Sequence, residues 1–311
     1  MSPPSSAFRF APSPNGRLHL GHARSALLNL GMARVSGGRF LIRIEDIDRA
    51  RCTPGFETAA LSDLDRLGVV SDGPIRRQSD HFADYAGALA RFREMGLVYP
   101  AFLSRADIKQ RVAALEAGGH PWPRDPDGAP LYPGTERSLA PDIAASWIAS
   151  GEQVIWRLDM ERASARVGQL HWKESGGEDP ENETDLLALQ GVRRFRTIDA
   201  EPQRWGDVIL ARADVPTSYH LSVVVDDAAQ GVTDVVRGAD LYQATSVHRL
   251  MQELLELPAP RYHHHRLVRD RSGRKLAKSD GDVGVATLLD RGVTPEAILS
   301  LSGLLPAVSS G

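Results

Sequence analysis

Cysteine is nearly missing from this 311-residue sequence: Cys52 is its only one. A single thiol allows no intrachain disulfide. That excludes a disulfide-rich secreted domain and fits a reducing cytosol, so a cytoplasmic protein is expected. It also excludes a Cys₄ or Cys₂His₂ zinc site. No apolar run nears the ~18 residues that cross a bilayer, so no membrane-spanning helix is expected. Residues 1–7 lack the basic segment and apolar stretch of a secretory leader. Excess positive charge is missing too: 37 Lys and Arg face 40 Asp and Glu, a formal charge of −3. Nucleic-acid binders are usually basic over the whole domain, so any RNA contact must come from local patches. The 28 Gly and 20 Pro are near ordinary usage, which rules out a collagenous or low-complexity chain. What is present is enough chain for one large domain or two modest ones.

The first hundred residues read strand–helix–strand–helix–helix. Phe8 to Phe10 is a short strand, ended by the turn cluster Pro12 to Gly16. A helix follows from about Gly21 to Arg34, then a strand over Phe40 to Ile44. Thr53-Pro54 has the form of an N-cap and first helical residue, opening a helix that stops near Gly68. Phe82, Tyr85, Leu89 and Phe92 mark another helix, ended by Gly96. This order favours a parallel sheet covered by helices. From Val98 onward the pattern changes. Ser104 to Asp107 resembles a capping box before a helix to Glu116. Strands are expected at 154–158 and 208–210. Between them, Glu174 to Asp185 holds six acidic residues and no basic one, which predicts a solvated loop. The α/β pattern then returns, with a strand over Val232 to Val236, a helix capped by Asp240, and a strand over Tyr262 to Val268. Residues 263–279 hold six Lys or Arg and one Asp, the strongest local basic patch.

Two motifs carry chemistry. His19-Leu20-Gly21-His22 sits where a strand and turn feed a helix. Two imidazoles there face the same way as free first-turn N–H groups, which attract phosphate. Gly21 lets a planar group come close to the backbone. The second motif is Lys275-Leu276-Ala277-Lys278-Ser279, after the turn Asp270 to Gly273. Two lysines three apart can close over a polyphosphate and neutralise charge as pyrophosphate leaves. Each motif alone has a plain reading as polar surface; together and in this order they do not. His263-His264-His265 reads as strand residues beside the nucleotide or RNA surface rather than a metal site, with His264 on the opposite face from the other two. Cys52 has no obvious base partner and reads as structural or incidental.

The chain resembles the class I aminoacyl-tRNA synthetases, and among them the glutamyl branch. Arg9 to His22 is similar to that branch's opening block, and Lys275 to Ser279 to its second signature loop. Arg43-Ile44-Glu45-Asp46, Pro216 to His220, Val225-Asp226-Asp227 and Val236-Arg237-Gly238 resemble further blocks. The resemblance implies a Rossmann-type catalytic α/β domain in two halves, 1–97 and 207–311, interrupted by a small α+β subdomain over 98–206. Thirty-two residues follow Ser279, too few for the branch's long helical anticodon-binding region. The expectation is therefore the truncated glutamyl-queuosine tRNA(Asp) group, which attaches glutamate to queuosine in the anticodon loop. ATP and L-glutamate are the expected small substrates, with Mg²⁺ on the phosphates, the queuosine-containing tRNA(Asp) anticodon stem-loop as acceptor, and a monomer as the working form.

The resemblance implies roles residue by residue. Glutamate falls against Arg9, Phe10, Ala11, Pro12, Ser13, Glu45, Tyr219 and Arg237. The two guanidiniums suit carboxylates, Glu45 suits the ammonium, and Ser13 and Tyr219 supply hydroxyls. His19, Gly21, His22 and Lys278 would hold ATP; His19, His22, Lys275 and Lys278 would serve the chemistry. One departure stands out. Relatives often build a zinc site in the inserted subdomain from a Cys-x-Cys pair, a Tyr and a further Cys. Here Ala101 and Leu103 replace the pair, and Glu136 follows Tyr132 where the last Cys belongs. A lone Tyr and Glu do not make a tetrahedral zinc site, so none is expected. Two rivals stay open: a glutamyl-tRNA synthetase core that charges the tRNA 3′ end, and a non-catalytic RNA-binding paralogue.

Overall fold

The computed structural model describes residues 6–269 and 284–304. Its strands are β1 (Ala7–Phe10), β2 (Arg39–Ile44), β3 (Arg76–Arg77), β4 (Val98–Ala101), β5 (Ile155–Leu158), β6 (His171–Glu174), β7 (Arg196–Asp199), β8 (Ile209–Arg212), β9 (Asp234–Gly238) and β10 (Arg261–His265). Its α-helices are α1 (Leu20–Val35), α2 (Pro54–Arg66), α3 (Phe82–Glu94), α4 (Arg105–Ala117), α5 (Pro141–Ala149), α6 (Met160–Ala165), α7 (Asn182–Leu189), α8 (Tyr219–Ala229), α9 (Thr245–Leu254), α10 (Val285–Asp290) and α11 (Pro295–Leu301). None of the described helices is long and apolar enough to cross a membrane.

Local signals act where they stand in the sequence. The Thr53 hydroxyl accepts from Phe56 N at 3.3 Å, with Pro54 in the first turn of α2. Ser104 and Asp107 form a reciprocal capping box at α4. Gly68 takes φ +71° just past α2, a left-handed turn that a side chain would oppose. Asp240 behaves differently from expectation. It lies in a short 3₁₀ turn, Ala239–Leu241, and α9 starts later, at Thr245, without a side-chain cap.

Seven strands form one sheet in the order β3-β2-β1-β9-β10-β6-β7. All its pairings are parallel except β6 with β7. From β1 the chain builds outward through β2 and β3 on one side; β9 and β10 extend the other. The order therefore reverses between β1 and β9, and a crevice opens at their carboxyl ends. Alternation along each strand sorts the side chains by face. Phe8, Phe10, Ile42, Ile44 and Val236 pack with α1 and α2 residues such as Ala26, Leu28 and Leu64. Val235 and Tyr262 pack on the other face with Tyr85, Leu221, Val247 and Leu250. Fully burying one such side chain is worth roughly 1.5–3 kcal/mol, so these two layers fix where the strand ends stand.

β4 and β5, from the stretch expected to form the subdomain, make a second, three-stranded antiparallel sheet with β8 in the order β4-β5-β8. The chain does not stay there. β6 and β7 lie between residues 98 and 206 yet add to the larger sheet, while β8 joins the small sheet from beyond residue 206.

The acidic stretch corrects the solvated-loop expectation at both ends. Glu178, Asp179, Glu181 and Glu183 are exposed, but Glu174 and Asp185 are fully buried. The physical reason is a set of cationic and imidazole partners far away in sequence. Asp185 pairs with Arg24 of α1 and lies 2.9 Å from His263 Nε2. Glu174 lies 2.7 Å from His264 Nδ1. His263 and His264 are thus interior residues rather than surface ones, while His265 reaches the crevice. Their alternation across β10 is as expected.

Candidate active site

Three arginines reach one side of the sheet because of where they fall in alternating strands. Arg9 stands between Phe8 and Phe10, Arg43 between Ile42 and Ile44, and Arg237 follows Val236. All three are buried. Arg9 and Arg237, but not Arg43, line an open cleft of about 1270 Å³ at the carboxyl ends of β1 and β9, together with Tyr219 of α8. Arg9, Phe10, Ala11, Pro12, Ser13, His19, Gly21, His22, Glu45, Tyr219 and Arg237 all line it. Every expected glutamate- and nucleotide-contacting residue among the described ones is therefore at one place. Lys275 and Lys278 lie outside the described residues.

Arg9 and Arg43 have their counter-charges built in. Arg9 Nε donates to Asp227 Oδ1 at 2.9 Å, and Arg43 donates to the same oxygen at 2.7 Å. Arg43 also donates to Glu45 Oε1 at 3.1 Å and stands 3.8 Å from Asp226. Asp226 in turn accepts from Arg76, Gln78 and the Tyr85 hydroxyl. Burial alone would push the Asp227 carboxyl up, but Arg9 and Arg43 hold it below the ordinary value. Glu45 goes the other way: burial raises its carboxyl despite Arg43 and Arg9. A Glu45 carboxylate facing the cleft thus gains from a further cation. Asp226 and Asp227 were visible in the sequence only as part of a matching block; their role as anchors for three arginines was not.

Arg237 is built in the opposite way. Its Nε donates to His264 Nε2 at 3.1 Å, and one terminal nitrogen meets His248 Nδ1 at 3.1 Å. The other donates to Thr245 Oγ1 at 2.7 Å and Leu241 O at 3.1 Å. The Tyr219 hydroxyl is its longest contact, at 3.4 Å. Among the described residues no carboxylate pairs with it. Burial and the nearby Arg237 charge keep His248 well below its ordinary value, so it is neutral and accepts from the guanidinium. A buried cation with only neutral partners is costly unless an anion arrives.

The His19 and His22 rings do local work as well as line the cleft. His19 caps α1, its Nδ1 accepting from Gly21 N at 3.1 Å, and His22 Nδ1 accepts from His19 N at 3.2 Å. One first-turn N–H expected to be free for phosphate is therefore already used. Gly21 is needed here for a reason the sequence did not show: a Cβ would stand 2.9 Å from the His19 ring. Cys52 Sγ lies 3.6 Å from Ser13 Oγ, at the rim of this site.

In the small sheet, the positions compared with a zinc site hold one another. The Tyr132 hydroxyl donates to buried Glu136 at 2.8 Å, and the Arg157 guanidinium lies 3.9 Å over the Tyr132 ring. Phe102 N also donates to Glu136, at 3.4 Å. Tyr99 turns away to Asp207.

Residues 7–164 and 193–307 match the family described as tRNA synthetases class I (E and Q), catalytic domain. A glutamyl-Q tRNA(Asp) synthetase of Rhodobacter capsulatus is 45% identical over 296 residues, covering 95% of this chain and 99% of that protein. Its counterpart from Nocardia farcinica is 40% identical, over 95% of this chain and 83% of that one. A glutamate-tRNA synthetase structure from Elizabethkingia anophelis superposes with a TM-score of 0.68 at 25% identity, covering 89% of this chain and 53% of that one. This chain thus spans about half of that structure. The reversed strand order, the cleft beneath it and these likenesses agree: the chain is a ligase that belongs to the class I tRNA synthetase family of the E and Q catalytic domain, in the group of the glutamyl-Q tRNA(Asp) synthetases.

Proposed function

We propose that this enzyme activates L-glutamate with ATP, without tRNA, and transfers it to queuosine in the anticodon loop of tRNA(Asp). The observation that carries the amino-acid assignment is Arg237, a buried guanidinium whose partners among the described residues are all neutral. The missing partner is the substrate's side-chain carboxylate. The α-carboxylate must instead reach the nucleotide, on the side of His19, Gly21 and His22, because its oxygen attacks the α-phosphorus of ATP and displaces pyrophosphate. Arg9 and Glu45 line the same cleft, and Glu45 would answer the ammonium. Asp227 and Arg43 fix Arg9 and Glu45 from within the protein, which supports a pocket complete without RNA. A queuosine cyclopentene hydroxyl then attacks the activated carbonyl, and AMP leaves. Mg²⁺ arriving with the nucleotide would offset the phosphate charge. One chain carries all these groups, so a monomer suffices. Pyrophosphate exchange with glutamate and ATP alone tests the first step; exchange that requires added tRNA would overturn it.

The lysine loop supplies an expected kinetic result. Lys278→Ala should depress adenylate formation by ~10²–10³, the range for losing one electrostatic contact to a transition state. Glutamate affinity should change little. Near-normal exchange in this variant would remove Lys278 from the reaction.

Metal content supplies another. Where relatives place thiolates, this chain has Ala101, Leu103 and Glu136. Elemental analysis of purified protein should find zinc well below one atom per chain, and a chelator should not unfold it. One tightly bound zinc per chain would defeat this assignment.

A further inference from the structure

The guanidinium of Arg237 needs neutral acceptors aimed at it, and the aim of one of them is set elsewhere. His264 sits on β10 beside β9, its Nε2 accepting from Arg237 Nε at 3.1 Å. A neutral imidazole accepts at one nitrogen only when the other carries the proton. On the far side of the ring, Nδ1 lies 2.7 Å from Glu174 Oε2. The other oxygen of Glu174 accepts from His264 N at 2.9 Å and Gly176 N at 2.7 Å. The indole of Trp172 donates to Oε2 at 3.2 Å. Glu174, His264 and Arg237 are all buried, so water does not substitute for any of these bonds. Burial alone would push the Glu174 carboxyl up. The neighbouring His264 ring, and then the bonds from His264 and Gly176, hold it down at about 2.

We propose that Glu174 and His264 are positioning residues for substrate selection: Glu174 locks His264 in the Nδ1–H form, and the freed Nε2 lone pair holds the Arg237 fork toward a side-chain carboxylate. The carboxylate of Glu174 is also the nearest negative charge along that chain of bonds, one imidazole removed from the cation. It steadies Arg237 without pairing with it, which leaves the fork's charge to be answered by the substrate. A carboxylate in direct contact would answer it in advance and weaken glutamate binding. The flip of a single ring proton would set Nε2–H against Nε–H, donor against donor. This inference rests on Arg237 as the glutamate-side-chain ligand.

Glu174→Gln tests it with little change of shape. The amide oxygen keeps the two backbone contacts, while the amide nitrogen donates to Nδ1 and reverses the ring's proton, at the cost of the 3.2 Å bond from the Trp172 indole. In pyrophosphate exchange this variant should raise the KM for glutamate at least about tenfold, as for one lost hydrogen bond to a charged group. Its preference for glutamate over glutamine should narrow, and the KM for ATP should stay within about twofold. His264→Gln should do less harm, because its amide oxygen can replace Nε2. The double variant should match His264→Gln alone, since Glu174 acts through the ring. An unchanged glutamate KM in Glu174→Gln, or losses in the double variant that multiply, would overturn the proposal. Nitrogen NMR of the unmodified enzyme gives a readout independent of folding: His264 should carry its proton on Nδ1, and a proton on Nε2 sinks the idea. Arg237→Ala in the same assay separates the two readings. If it leaves glutamate KM intact, the pocket assignment fails; if it destroys activation while Glu174→Gln is normal, only the present inference fails.

Discussion

Replacing Arg237 by alanine is expected to lower kcat/KM for glutamate in pyrophosphate exchange by about 10²–10³. Removing one partner of a buried charge pair costs ~2–5 kcal/mol, and each ~1.4 kcal/mol is tenfold. The lower end applies if water enters the emptied space, the upper end if the substrate carboxylate is left dry. The KM for ATP should barely move, because the nucleotide is assigned to His19, Gly21 and His22 rather than to Arg237. Discrimination against glutamine should collapse too. A site that expects a charge rejects the neutral isostere because a buried cation is then left unanswered. Arg9→Ala is a useful contrast. Arg9 shares Asp227 with Arg43, so its loss also releases a buried carboxylate and should damage folding as well as binding. Wild-type kinetics in Arg237→Ala, or better exchange with glutamine or aspartate than with glutamate in the unmodified enzyme, would show the pocket assignment to be wrong.

The second large effect concerns the acceptor. An isolated anticodon stem-loop of tRNA(Asp) containing queuosine should accept labelled glutamate, and the same stem-loop with guanosine at that position should accept none. The contrast is chemical before it is a matter of affinity, since guanosine has no cyclopentene hydroxyl to attack the adenylate carbonyl. Binding itself should be salt-sensitive. A chain of net charge −3 has few surfaces for RNA phosphates, and the run beginning at Arg266 is the densest in cations. Periodate does not separate the candidates, because the queuosine ring and the terminal ribose both carry cis-diols. Glutamate found on the 3′ adenosine of intact tRNA and never on the stem-loop would make the enzyme a glutamyl-tRNA synthetase core.

Several elements could be read from the sequence because their signals are local. Thr53-Pro54, the Ser104–Asp107 box and the alternation of Phe40 to Ile44 act within a few residues, and each forms the expected element. The lining of the cleft was legible for another reason: its blocks resemble known ones residue by residue. What escaped was long-range polar pairing. Glu174 meets His264 and Asp185 meets His263 across 90 and 78 residues, and charge density over 174–185 pointed to solvent instead. A hint existed in each half: an acidic run and three consecutive histidines, neither with a partner nearby. Nothing in either run says that the two would pair, because composition carries no information on strand order. The placement of β6 and α7 against β10 brings them together. The Asp240 expectation failed differently. A plausible cap residue precedes the apolar helical stripe, but the chain spends 239–241 on a 3₁₀ turn whose Leu241 carbonyl serves Arg237.

The path of β6 through the larger sheet bears on how this enzyme can be rebuilt. A segment hung between two catalytic halves invites exchange as a cassette, with junctions near residues 98 and 206. Such a transplant would carry away two strands of the main sheet and, with Glu174, a carboxylate that reaches the amino-acid pocket through one imidazole. On the inference drawn above, the donor segment would therefore bring its own influence on amino-acid choice. A chimera that keeps residues 171–199 from the host, and trades only the β4-β5 region, leaves the pocket's wiring in one piece.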